Sequence, residues 1–170
     1  MTTKSAFSEE DWTRIVRAPF VAGMAITLAD PGGPIEAAKE TMATLKAATD
    51  PPSREPLLSD MALDIQAMTQ QHHSPLKGFR PEGTGSAKSQ VVEELRSVQG
   101  LVAATADPEE TAAFGRWMVQ VAQAAAEAAK EGGFMGFHAE RVSERESEMI
   151  EQVRAAVAGG SATPSDRVGP

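Results

Sequence analysis

The sequence predicts an all-α protein: a single-domain bundle of about six helices over residues 1–158, followed by a flexible tail over 159–170. Three observations predict it. Alanine, the strongest helix former, supplies 29 of the 170 residues, while aromatics are confined to six Phe and two Trp. Apolar residues recur at spacings of three and four through successive segments, and no stretch of any length alternates with a period of two. Clusters of Pro and Gly punctuate the chain between those segments.

The first helix should start after Ser8, whose hydroxyl can accept from free backbone N–H groups. Glu9, Glu10 and Asp11 follow where the helix dipole favours negative charge. Trp12, Ile15, Val16, Phe20, Met24 and Leu28 form its apolar stripe. Pro19 lies inside that stripe and predicts a kink or a break, because it removes a donor and crowds the preceding turn. Asp30-Pro31-Gly32-Gly33 stops the segment.

A second helix is expected from about Pro34 to Ala48, with Ile35, Ala38, Met42 and Leu45 as its buried stripe. The third should run from about Glu55 to His72, with Leu58, Met61, Ile65 and Met68 as a heptad seam and Leu57 beside it. Residues 72–88 form the longest irregular stretch, the kind of loop that often carries function. The fourth helix, from about Ala87 to Thr105, buries Val91, Val92, Leu95, Val98 and Leu101 or Val102, and Gly100 weakens it.

The fifth helix has the clearest start. Asp107 is its N-cap, Pro108 fits the first helical position, and Glu109 and Glu110 complement the dipole. Phe114, Trp117, Met118, Val121, Ala125 and Ala128 share one face, and Gly132-Gly133 ends the helix. Ser143-x-x-Glu146 is a capping box for the sixth, which buries Met149, Ile150, Val153 and Val157. Ala-Asp-Pro occurs at 29–31 and again at 106–108, a faint hint of duplication.

Composition narrows the chemistry. The net charge is −8 and the sequence pI about 4.9, which disfavours nucleic acid as a partner, since phosphate binding needs clustered Lys and Arg. The absence of cysteine excludes disulfides, thiolate metal sites and cysteine nucleophiles. The opening residues lack the positive start and apolar stretch of a secretory signal. The longest apolar run, Ala18 to Ala29, rises only about 18 Å as helix and cannot span a hydrocarbon core of roughly 30 Å. A cytoplasmic protein without a membrane span is the expectation.

No catalytic constellation stands out. His72 and His73 are adjacent and point about 100° apart on a helix, so they cannot share a metal as an i, i+4 pair can. The Glu-x-x-His motif of di-iron bundles is missing, as are HExxH and GxSxG. Gly83 to Ser89 resembles the end of a phosphate-binding loop, but Ala87 stands before Lys88 where that motif needs Gly, and no strand precedes it. Carboxylates pair at Asp60/Asp64 and line one face at Glu144, Glu148 and Glu151, which suits a solvated surface, a divalent cation or a basic partner. Phe134, Met135 and Phe137 lie between glycines, a pattern that either plugs the end of the core or forms an interface.

The stretch EAAKEGGFMGFHAERVSERESEMIEQV resembles the endings of small uncharacterised bacterial all-helical proteins. More loosely it is similar to TerB-like tellurite-resistance domains: Ala128, Gly132, Val142, Ser143, Glu144 and Glu146 follow the order of an Ala-rich helix, a turn, an apolar residue and a Glu-started helix. That resemblance implies an all-helical fold and a stress-associated module binding a divalent cation or small ligand through acidic turns, with Asp30, Glu144 and Glu148 as the metal candidates. Beside it stands the primary expectation. This is a non-enzymatic interaction or scaffold protein with no cofactor, meeting a protein partner or a second copy of itself through Phe134, Met135 and Phe137.

Overall fold

The computed structural model describes residues 1–82, 84–130 and 142–158. A single 3-10 turn at Lys4–Ala6 precedes α1 (Glu9–Ala29), α2 (Pro34–Ala48), α3 (Pro56–Gln70), α4 (Thr84–Thr105), α5 (Pro108–Lys130) and α6 (Glu144–Val157). The described residues contain helices and no strand, so the predicted all-α bundle is what the chain forms. The Phe134, Met135 and Phe137 segment, His138 and the tail 159–170 lie outside the described residues.

Three helix starts, those of α1, α5 and α6, carry the caps the sequence specifies, while α4 begins at Thr84, three residues before the expected Ala87. The Ser8 hydroxyl accepts from the Asp11 N–H at 3.1 Å. Asp107 Oδ1 accepts from the Glu109 and Glu110 N–H groups at 3.0 and 2.9 Å. Ser143 and Glu146 exchange both bonds of a capping box.

The α1 helix is the axis of the bundle and packs against all five other helices. That explains the apolar run from Ala18 to Ala29: a helix surrounded on every side needs no polar face. Ile15, Ala18, Val21, Ala22, Ala25 and Ile26 are fully buried. Pro19 does not break it; the helix runs through from Glu9 to Ala29. Lateral packing holds the segment helical, at the loss of the one bond that the proline nitrogen cannot donate.

Buried charge organises the α1–α4 contact. Arg17 is 8% exposed. Its Nη2 lies 3.2 Å from Glu94 Oε1 on α4, and Arg14 donates Nε and Nη2 to the same carboxylate at 3.0 and 2.8 Å. Arg17 also reaches the Lys77 carbonyl at 3.4 Å and sits 5.2 Å from the Phe79 ring centre, which ties the loop after α3 to the axial helix.

The chain's first residues are fastened to two helices, α5 and α3. Thr2 donates its N–H and hydroxyl to Glu110 at 2.8 and 2.6 Å. Lys4 gives its backbone N–H to Asp60 at 3.0 Å and its ammonium to Asp64 at 2.7 Å. Asp64 therefore meets a basic group of the chain itself, and Asp60 a backbone N–H of the same residue. Among the described residues no helix is long and apolar enough to cross a membrane.

A candidate docking face on the second helix

The second helix is the place where the structure departs most from the sequence reading. Its bounds, Pro34–Ala48, are those expected, but its orientation is reversed. Ile35 is 70% exposed and Met42 66%, Ala38 is exposed with them, and Leu45 is only half-buried. The buried positions are Glu40, Thr44 and Ala48.

The reason lies in what faces α2. A side chain at Gly23 on α1 would place its Cβ against the Thr44 hydroxyl and 2.6 Å from the Thr44 methyl, so the two helices approach at glycine. Glu40 is 2% exposed and accepts a short hydrogen bond from the Thr27 hydroxyl of α1. On the α5 side, the Trp117 indole N–H donates to the Ala47 carbonyl at 2.9 Å. Small residues and satisfied polar groups thus make a close seam in which the bulk of Ile35 and Met42 has no room. A buried carboxyl group is tolerated only when its hydrogen bonds are met inside.

The signal that could have revealed this is a second stripe at the same spacing: Ala37, Glu40, Thr44 and Ala47/Ala48. It is a small-residue stripe, matched by Gly23 on α1 and by the alanines of α5. Counting only large apolar residues hides it.

The outward face is a shallow concavity lined by Pro34, Ile35, Ala38, Lys39, Met42 and Ala128 of α5. It is an apolar strip along one side of a helix. Besides Met1, the other large apolar group exposed among the described residues is Leu63 on α3.

The acidic candidates do not come together. Among the described residues no three His, Asp or Glu side chains form a group able to hold a metal ion, so Asp30, Glu144 and Glu148 are not a ligand set. Asp30 lies 3.7 Å from the Arg145 guanidinium, between the end of α1 and the start of α6. His72 takes a left-handed backbone, φ 55°, at the end of α3. The His73 N–H bonds to the Met68 carbonyl at 2.9 Å and the His72 N–H to the Thr69 carbonyl at 3.1 Å, the paired bonds of a Schellman stop. The histidine pair therefore ends a helix.

Carboxylates that are held show it in their acidity. Burial raises the Glu94 carboxyl, but hydrogen bonds and charge from Arg14 and Arg17 more than offset that, leaving it below the ordinary glutamate value. Asp64 follows the same pattern: burial raises it, and the bonds from Lys4 and Trp12 bring it below the usual range.

No family model, curated protein or solved structure matches this chain. Its function has to be read from these surfaces.

Proposed function

We propose that this chain is a non-enzymatic helical interaction protein, that its docking element is the outer face of α2, and that the occupant is a second copy of the chain. The observation that carries the reading is the exposure of Ile35 and Met42, 70% and 66%, on a helix whose other side is locked by Glu40 and Thr44. Rotating α2 to hide them would bring Glu40 and Thr44 out of their seam, so the exposure is built in. Covering a large aliphatic side chain fully stabilises by about 1.5–3 kcal/mol.

The arrangement of the strip favours a second copy. Ile35 and Met42 stand one heptad apart with Ala38 between them. An antiparallel pair of α2 helices related by a two-fold axis near Ala38 sets Ile35 of each copy against Met42 of the other. Such self-complementarity is what an isologous contact requires. Alanine at the crossing lets the backbones approach. The strip is one helix wide, so the contact falls at the small end of protein interfaces, below about 1,200 Å² in total, and association depends on concentration.

Sedimentation equilibrium from about 10 μM to about 1 mM tests this, a range that spans weak dimerisation. The expected result is a mass that climbs towards the dimer, while Met42→Glu stays monomeric with an unchanged helical circular dichroism spectrum. A monomer throughout, or a dimer indifferent to Met42→Glu, overturns it.

A further inference from the structure

We infer that the hollow bounded by α1, α3 and the loop after α3 is a binding site for a small carboxylate carried on a short apolar body. It is separate from the α2 face and does not depend on the reading of that face.

The hollow has a volume of about 350 Å³, within the roughly 300–1,000 Å³ typical of small-molecule sites. Its floor is apolar: Trp12 and Val16 are buried, and Met68 is half-buried beside them. Its rim is polar and unevenly charged. The one rim carboxylate, Asp64, already accepts from Lys4 Nζ at 2.7 Å and from the Trp12 indole N–H at 2.8 Å, both on the same oxygen. The Lys77 ammonium and the His73 ring are the nitrogen donors that remain at the rim. Lys77 and His73 line the hollow, and among the described residues neither side chain has a hydrogen-bonding or ionic partner. The Ser74 hydroxyl stands with them, whereas the Thr13 hydroxyl already donates to the Glu9 carbonyl at 2.8 Å.

Shape and charge together select the ligand. A short apolar body suits the Trp12–Val16–Met68 floor. A carboxylate at its end meets the Lys77 ammonium and the His73 ring at the rim, where charge-assisted hydrogen bonds are the strong ones. A cationic head would face the Lys4 and Lys77 ammonium groups, with the Asp64 charge already paired with Lys4. In a chain of net charge −8, a hollow whose only acid is paired with Lys4 and which carries the Lys77 ammonium besides is a local reversal of sign.

The walls are also held in place before any ligand arrives. The Schellman stop at His72 turns the chain sharply, and Arg17 pins the loop at the Lys77 carbonyl and the Phe79 ring. A preformed site avoids the ordering cost that weakens binding to a loose one.

The chain has two tryptophans, so its indole N–H signals number two, and they report different places. Trp12 lines the hollow, whereas Trp117 is fully buried on the Ala47 carbonyl and serves as the internal reference. The experiment titrates the ¹⁵N-labelled full chain with octanoate, with octanol and octylamine as uncharged and cationic controls. Trp12→Phe assigns the two signals. The Trp12 signal is expected to move saturably with octanoate while Trp117 stays still, with octanol and octylamine weaker by about tenfold. The exposed-side-chain double variant His73→Ala/Lys77→Ala should weaken octanoate by about tenfold, which corresponds to about 1.4 kcal/mol. A Trp12 signal that does not move, two signals moving together, a control that matches octanoate, or a double variant that binds like the parent overturns the assignment.

Discussion

Gly23 on α1 and Thr44 on α2 touch so closely that a Cβ at residue 23 would lie 2.6 Å from the Thr44 methyl carbon. This contact and the Thr27–Glu40 hydrogen bond beside it decide which way α2 faces. The outward strip of Ile35 and Met42 is therefore a consequence of what happens on the opposite side of the helix.

Gly23→Ala should destabilise the fold by about 1–3 kcal/mol, the usual cost of overpacking a tight core. Thr44→Ala in the same chain should return part of that loss, since it removes the hydroxyl and methyl that the new Cβ meets. Urea unfolding of the single and double variants gives the coupling energy. Simple additivity of the two substitutions would mean that the helices shift apart and that the seam does not fix α2.

Trp117 anchors the other side of the same helix. It is fully buried and donates its indole N–H to Ala47. Trp117→Ala should cost about 3–5 kcal/mol. Trp117→Phe keeps most of the packing and removes the indole bond, while the Ala47 carbonyl still accepts from the Asp50 N–H at 3.3 Å, so it should cost only about 0.5–1.5 kcal/mol for the lost hydrogen bond. Equal losses for the two would place the energy in the hydrogen bond and not in the packing.

Gly100 offers the opposite sign. It lies in the interior of α4, is exposed, and has no atom within 4 Å of where a Cβ would stand. Gly100→Ala should therefore stabilise by roughly 0.5–1 kcal/mol, by removing backbone freedom from the unfolded chain. A destabilised variant in thermal or urea unfolding would show that this stretch of helix needs glycine for another reason.

Most of the helices were legible because the signals that define them are local. Caps at Ser8, Asp107 and Ser143 use neighbouring residues, and the stripes on α3 to α6 are large aliphatic and aromatic groups whose burial has no competitor. What was not legible depended on residues distant in the chain. The inversion of α2 needs Gly23 and Thr27. The use of Asp60 and Asp64 needs Lys4 and Trp12, and the burial of Arg17 needs Glu94. That Pro19 does not break α1 has a related reason: its local penalty is real, but five packed neighbours outweigh it. The hollow beside Trp12 gathers its lining from α1, α3 and a loop, so no contiguous motif announces it.

The Glu94 cluster predicts how the fold responds to acid. Glu94 lies between Arg14 and Arg17, and its folded value sits below the ordinary one despite burial that pushes the other way. A depressed carboxyl contributes stability that is fully present above its unfolded value, about 4.3, and is lost as pH falls through the lower folded value. The native chain should therefore lose stability progressively below about pH 4.3 as the proton enters between the two guanidinium groups. Glu94→Gln removes that titration and leaves Arg17, 8% exposed, without its carboxylate. Near neutral pH the variant should be less stable by roughly 3–5 kcal/mol, the cost of breaking a buried pair. The gap should then narrow towards pH 3, because the protonated parent also has no carboxylate to offer Arg14 and Arg17. Urea midpoints of both chains between pH 3 and pH 7 measure this directly. A gap that stays constant across that range would mean that Glu94 holds Arg14 and Arg17 through shape and hydrogen bonding alone, with no contribution from its charge.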